Sequence, residues 1–476
     1  MSRRWIGLVL LCVVIPHLPF AGGSVTAANA ARFQRTRFVK QISRDSLIGP
    51  PGSEDDTQVE AHVAIDANDP SIVVAVFQQG RFPDGGSAAP GYATSHDGGR
   101  SWTTGSLPGL TEAVGGAFER GTDPVVAFGP DGAVYAQTLL VTVSRCRSAV
   151  AVQRSDDGGL TWGAPVLVQD DSTCSPGGPL NDKNWIAVDA FPGSPHHGRI
   201  YSAWTTGDQV AVTRPVVLRH SDDRGTTWSA LVTPSSIPTL TSGVGVVPVV
   251  QPNGDVTLVY NFGSRPPFSQ VSQTSHDGGE HFDPQVMIAT DHSEGVPSMR
   301  TAFGLPSATA DPVTGYLYAA WQDTRFGADG LNDIVMTRST DGGVSWESPR
   351  LVNSHTSAGR RHFFTPAVAA HGGAVHVTYA SVRVRHGVRR DKVDLRYALS
   401  NDGGVSFRRD RRLGRLGDLD FAAFAILGGV KVAFLGDYMG LAASANVVHA
   451  AWCLPLPKSG SPRSPHQVTW GATIEG

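Results

Sequence analysis

The chain has 476 residues, with 39 Lys and Arg against 42 Asp and Glu, for a formal net charge of −3. That balance excludes the broad basic field that nucleic-acid binding calls for. Only 17% of the residues are charged, whereas 55 are Gly and 32 are Pro, which suits an all-β protein rich in turns and argues against a helical one.

Read from its start, the chain opens on a secretory leader, residues 1–30. Arg3 and Arg4 precede an apolar run over residues 5–15, and Ala28-Asn29-Ala30 offers a small-residue cleavage site. Cleavage removes two arginines and no acids, so 37 cations face 42 anions and the charge becomes −5. Residues 31–476 are expected to be exported and to fold as one domain. The apolar stretch 421–430 stops at Lys431 after about half the length a membrane span needs. Three cysteines follow the leader. Export permits a disulfide; Cys146 with Cys174 is the favoured pair, and Cys453 is left over.

Six copies of Ser-x-Asp-x-Gly-x-x-aromatic then recur, at residues 95–102, 155–162, 221–228, 275–282, 339–346 and 400–407. Their aspartates, Asp97, Asp157, Asp223, Asp277, Asp341 and Asp402, are 60, 66, 54, 64 and 61 residues apart. Such a period marks a repeat architecture, and its length suits a four-stranded propeller blade with long loops. In each copy the Asp accepts backbone N–H bonds across a tight turn, Gly supplies positive φ, and the aromatic residue packs between blades. These aspartates are read as structural. Copy three has Arg224 in place of the first Gly.

Between the copies run seven β-rich segments, at residues 73–77, 133–137, 200–204, 256–260, 316–321, 375–379 and 447–452. Each unit therefore reads strand A, turn, strand B, loop, strand C, Asp turn, strand D. The seventh unit lacks the motif and ends with the chain. Its fourth strand is expected from residues 37–42, closing a ring and removing an exposed edge. The expected fold is a seven-bladed β-propeller, with six blades as the alternative.

Strand polarity then places the working end. The Asp turns and the A–B turns share one rim; the B–C loops and the starts of the A strands share the other. On that second rim stand Glu60, Asp123, Asp182 with Lys183, Arg300, Arg361 with His362, and Asp437 with Tyr438. Just after the B strands come Gln78 with Arg81, Asp323 with Arg325, and Arg383.

The six motifs resemble the Asp-box, or BNR repeat, of sialidase-like β-propellers. The resemblance implies an exo-α-sialidase-type glycoside hydrolase. It implies a Tyr nucleophile, because the substrate's own carboxylate repels a carboxylate nucleophile, together with an acidic base, an acid/base Asp and three arginines that grip the substrate carboxylate. In this chain those roles fall to Tyr438, Glu60 and Asp123, and to Arg300, Arg325 and Arg383, with Asp323 and Asp437 as further substrate contacts. The Arg-Ile-Pro motif of sialidases is absent. Two other readings stay open: a propeller that binds a glycan or a protein without catalysis, and a glycosidase or lyase that uses paired carboxylates, Asp123 with Asp323 or Asp437, on a neutral or uronic glycan.

No cofactor or metal is expected. His196-His197 lacks a third ligand at suitable spacing, and residues 329–333 lack the ordered ligand spacing of a calcium loop. The arginines at 383, 385, 389 and 390 and again at 408–415 suit either a polyanionic glycan or a charged outer edge that resists aggregation.

Overall fold

The computed structural model describes residues 35–476 except 46, 143–146, 172–179, 208–213, 235–242, 264–266, 302–303, 328–329, 355–359, 386–387 and 458–463. The leader, Cys146, Cys174 and Asp329 lie outside the described residues, as do the side chains of Arg385, Arg389 and Arg390. Among the described residues, no helix is long and apolar enough to cross a membrane.

The chain is all-β. After β1 (Arg35–Gln41) come antiparallel meanders in series. The first is β2 (Glu54–Ile65), β3 (Val73–Arg81), β4 (Ser87–Ser95) and β5 (Thr103–Ser106). The second is β6 (Arg120–Phe128), β7 (Val134–Val141), β8 (Ser148–Ser155) and β9 (Val166–Asp171). The third is β10 (Asp182–Val188), β11 (Ile200–Thr205) and β12 (Val216–Ser221), with Val232 bridging to Leu218 where a fourth strand would lie. The fourth is β13 (Gly243–Val250), β14 (Val256–Phe262), β15 (Phe268–Ser275) and β16 (Val286–Asp291). A two-residue strand, β17 (Met299–Arg300), precedes the fifth: β18 (Ser307–Ala310), β19 (Leu317–Asp323), β20 (Asp333–Ser339) and β21 (Arg350–Leu351). The sixth is β22 (Arg361–His371), β23 (Ala374–Arg385), β24 (Val388–Ser400) and β25 (Arg411–Asp418). A hairpin of β26 (Ala423–Leu427) and β27 (Val430–Phe434) leads to the last group, β28 (Gly440–Ala443), β29 (Val447–Pro455) and β30 (Gln467–Glu475). Here β1 pairs antiparallel with β30, so the start of the folded chain supplies the outer strand of its end.

The second strands are buried on both faces; every residue of β3 is buried. A strand covered on both sides reads as a continuous apolar run, and Phe77, Tyr201, Trp204, Tyr260, Tyr318, Trp321 and Tyr379 fill the space between neighbouring meanders. First strands pack on first strands in the order β2, β6, β10, β13, β18, β22, β28, and β28 packs on β2.

The repeated turns have one geometry. In copy one, Ser95 Oγ donates to Asp97 Oδ1 at 2.8 Å, and Asp97 Oδ1 also accepts from Ser101 N at 2.8 Å. Burial pushes the Asp97 carboxyl up, but the bonds from Ser101 and Ser95 outweigh it and bring it down to about 2. In copy four His281 takes the place of the Ser or Thr, with its Nδ1 2.7 Å from Asp277 Oδ2.

Each turn is also tied to the preceding meander through the carbonyl at its fourth position. Thr94 donates to Gly158, Arg154 to Arg224, Arg199 to Gly278, Gln251 to Gly342 and Arg338 to Gly403. Thr473, on β30, donates to Gly98 in the first turn. The motif thus clamps neighbours together as well as shaping its own turn.

Strand pairing fixes the ends. On β2 and β3, Glu54 lies opposite Arg81 and Ile65 opposite Val73, while Val73 lies opposite Ser95 of β4. The Asp turns therefore sit at the end remote from Glu54 and Arg81.

Candidate active site

Five first strands carry the same irregularity, and on β6 and β10 it lies toward the strand's start, away from the Asp turns. Register slips between Val59 and His62, Thr122 and Val125, Asp182 and Trp185, Val244 and Val247, and Phe364 and Ala367. Within the five bulges stand Glu60 (φ 56°), Asp123 (φ 49°), Lys183 (φ 49°), Gly245 (φ 70°) and Thr365 (φ 51°). The left-handed region favours glycine, and only one of these five positions has it. The other four hold it at a cost of about 1 kcal/mol or more each. A bulge of this kind re-aims a side chain, and three successive meanders use it to bring an acid, an acid and a lysine to one place.

Glu60 and Asp123 border a cavity of about 240 Å³ whose lining also includes Arg81, Arg120, Asp182 and Arg300. Glu60 is buried and accepts a hydrogen bond from Gln78 Nε2, which also donates to Thr122 Oγ1 at 2.8 Å. Burial, then the charges of Asp123 and Asp437, push the Glu60 carboxyl up to about 8. Asp123 Oδ2 accepts from Thr122 Oγ1 at 3.1 Å, and its Oδ1 lies 3.8 Å from Lys183 Nζ. Burial raises its pKa, and Lys183 opposes the rise. Arg81 is buried with Nη1 2.8 Å from the Gly86 carbonyl oxygen, and burial lowers its pKa to about 10. Arg300 and Asp437 form a two-point ion pair. Burial opposes the Arg300 charge, but Asp437 outweighs it and raises its pKa.

Arg300 reaches this place by a route that differs from the sequence expectation. It is not the head of a first strand: β17 pairs in parallel with β27, setting Met299 opposite Ala433 and Arg300 opposite Phe434. The Phe434 ring then lies 4.7 Å from the Arg300 guanidinium carbon and 4.8 Å from that of Arg81.

Beneath the cavity, Lys183 Nζ lies 3.8 Å from the centre of the Tyr438 ring and 4.8 Å from that of Trp185. These groups and His62 line a second cavity of about 120 Å³. His62 Nδ1 accepts from Val126 N at 3.2 Å; burial and then Lys183 lower its pKa to about 3, so the ring is neutral.

Of the residues singled out from sequence, Glu60, Asp123, Asp437 and Arg300 come together. Tyr438 adjoins them but is buried, and its hydroxyl donates to the Pro124 carbonyl at 2.9 Å rather than to Glu60. Burial and the neighbouring carboxylates raise the phenol well above its ordinary pKa. The three arginines do not converge. Arg325 closes on Asp323, with Nε 2.9 Å from Oδ1 and Nη2 2.8 Å from Oδ2, and Asp323 also accepts from Trp321 Nε1. Arg383 is exposed on β23 opposite Arg361. Neither lines the cavity that holds Arg300. Arg81 and Arg120 are the other guanidinium groups that line it, and Lys183 lies 3.8 Å from Asp123 at its edge. Arg81 and Lys183 stood among the rim residues in sequence; what set them apart, a bulge and a shared Phe434 ring, is not spelled in residue types. Cys453 is free and buried, and burial raises its thiol to about 12. Among the described residues, no group of three His, Cys, Asp or Glu side chains is placed to hold a metal ion.

No protein-family model matches the chain, and no curated protein matches it. Solved structures do resemble it in fold. An ulvan lyase of polysaccharide lyase family PL25, bound to a repeat of glucuronic acid and sulfated rhamnose, aligns with TM-score 0.50 and 11% identity over 89% of this chain and 95% of its own. An α-L-arabinofuranosidase of Fusarium graminearum aligns with TM-score 0.49 and 12% identity, covering 92% of this chain and 98% of its own. A leech intramolecular trans-sialidase gives TM-score 0.46 and 12% identity over 72% of this chain and 67% of its own.

Proposed function

We propose that this chain is an exported, sialidase-like Asp-box propeller of seven blades that cleaves an acidic glycan in the cavity at Glu60. Support for the ring comes from the serial packing of the first strands, the pairing of β1 with β30, and the bond from Thr473 to Gly98. Support for catalysis comes from one observation above all: Glu60, Asp123 and Lys183 occupy equivalent strained bulges in three neighbouring meanders, with Glu60 and Asp123 lining one cavity and Lys183 Nζ 3.8 Å from Asp123.

The chemistry is that of paired carboxylates with unequal proton affinity. Glu60 keeps its proton at neutral pH and donates it to the glycosidic oxygen as the bond to the anomeric carbon breaks. Asp123 accepts a proton from a water molecule whose oxygen joins that carbon. Arg81 and Arg300 supply the positive charge that draws an anionic sugar. Exo-sialidase chemistry through Tyr438 is less well supported, because that hydroxyl is committed to the Pro124 carbonyl and Arg325 and Arg383 lie elsewhere.

The test is turnover by the purified mature protein on uronic polysaccharides, sialosides and neutral glycans, beside Glu60→Gln. Release of reducing ends from an acidic glycan, lost in the variant, supports the proposal. Binding on a glycan array without turnover of any substrate points instead to a non-catalytic glycan-binding propeller. An unsaturated product assigns a lyase rather than a hydrolase.

A further inference from the structure

Lys183 is an unusual residue to bury. It is 6% exposed, its φ is 49°, and its Nζ has no hydrogen-bond partner among the described residues. An ammonium withdrawn from water is tolerated only where other charges or rings compensate. Here the compensation is the Tyr438 and Trp185 rings and the carboxylate of Asp123 at 3.8 Å.

The surrounding charges are already assigned. Arg300, on β17, is taken by Asp437, which precedes β28. Arg81, on β3, donates to the Gly86 carbonyl. Asp182 lies 3.7 Å from Arg214. His62, on β2, is neutral, with Nδ1 accepting from Val126 N. That leaves Lys183 as the cation nearest Asp123, whereas Glu60 accepts from the neutral amide of Gln78, and burial with the repulsion of Asp123 and Asp437 outweighs the attraction of Lys183 and Arg300.

We infer that Lys183 divides the two carboxyl groups into donor and acceptor, holding Asp123 ionised while Glu60 keeps its proton. The inference rests on the paired-carboxylate reading. Lys183 is thus a positioning residue, acting through Asp123. Without its charge, the proton is shared or moves, and the acceptor is lost over part of the working pH range.

Infrared titration reads buried carboxylic acids directly, with Glu60→Gln and Asp123→Asn as assignments. At about pH 6, wild type should show the Glu60 acid band and no Asp123 acid band. Lys183→Met should gain a band that Asp123→Asn removes, and Lys183→Arg should not. Circular dichroism checks folding, and Lys183→Gln replaces the Met variant if that one fails to fold. The acid limb of the pH–rate profile should rise by one pH unit or more, about tenfold in proton affinity, in the neutral variant only. Absence of a new band in both neutral variants, or the same band in Lys183→Arg, overturns the inference. If the wild-type protein cleaves no glycan, the catalytic reading fails, while the infrared result still decides what Lys183 does to Asp123.

Discussion

Replacing Glu60 with Gln should alter the pH dependence of stability in a calculable way. The carboxyl is 2% exposed, so solvent screening takes little from the effect. Its pKa is raised from 4.5 to about 8, chiefly by burial. The folded chain therefore holds a proton that the unfolded chain has released. The contribution is fully present below pH 4.5 and is lost as pH rises through about 8. At about 1.4 kcal/mol per pH unit, the loss between pH 6 and pH 9 is about 3 kcal/mol, because it levels off above the folded pKa. Gln at position 60 has nothing to titrate and can still accept from Gln78. Urea unfolding at the two pH values should show wild type falling about 3 kcal/mol further than Glu60→Gln. Parallel curves for the two proteins would refute the placement of Glu60 as a buried, protonated acid.

Other outcomes follow from neighbouring features. His62 and His376, each lowered to about 3, and His362 and His449, each lowered to about 4, are neutral when folded because burial disfavours the cation. Stability should fall as pH drops below 6.5, by about 1.4 kcal/mol per unit for each ring, and acid titration by circular dichroism checks it. Asp341→Ala removes an acceptor of bonds from Ser339 Oγ, Ser345 N and Ser345 Oγ; at about 1 kcal/mol each, it should lower stability by about 2–3 kcal/mol and leave turnover unchanged. Thr365→Gly relieves a β-branched residue at φ 51° and deletes a buried hydroxyl with no hydrogen-bond partner among the described residues, so it should stabilise by up to about 1 kcal/mol. Thermal unfolding that shows a clear loss contradicts that reading of the bulge. Arg300→Ala leaves Asp437 without its partner and should weaken an acidic oligosaccharide at least tenfold in calorimetry, with little change for a neutral one.

Much of the scaffold was legible because it repeats. Six Asp turns at near-regular spacing predict strands on either side, and β1 completes the last meander within two residues of its expected limits. The clamp from each turn to the preceding meander was not legible, since Thr, Arg and Gln all serve as the donor. At the site, residue type marked the acids Glu60, Asp123 and Asp437, but conformation decided which cations join them. Arg325 lies two residues from Asp323, and a carboxylate that near in the chain captures the guanidinium before any distant site can. Arg300 has no such neighbour and is carried across by the parallel pairing of β17 with β27, which no local pattern announces. The bulges were hidden for the same reason: Glu, Asp, Lys and Thr at four of five positions do not look like turn residues. The apolar stretch 421–430 proved to belong to a 3-10 turn and the β26–β27 hairpin that holds Arg300 in place.

The most direct test is a crystal structure of Glu60→Gln with an acidic oligosaccharide that the wild-type protein cleaves. The glycosidic oxygen should lie within about 3 Å of the residue 60 side chain, with the sugar's anionic group toward Arg81 or Arg300. An oligosaccharide seated at the opposite end, among the Asp turns, with the Glu60 cavity vacant, would contradict the account.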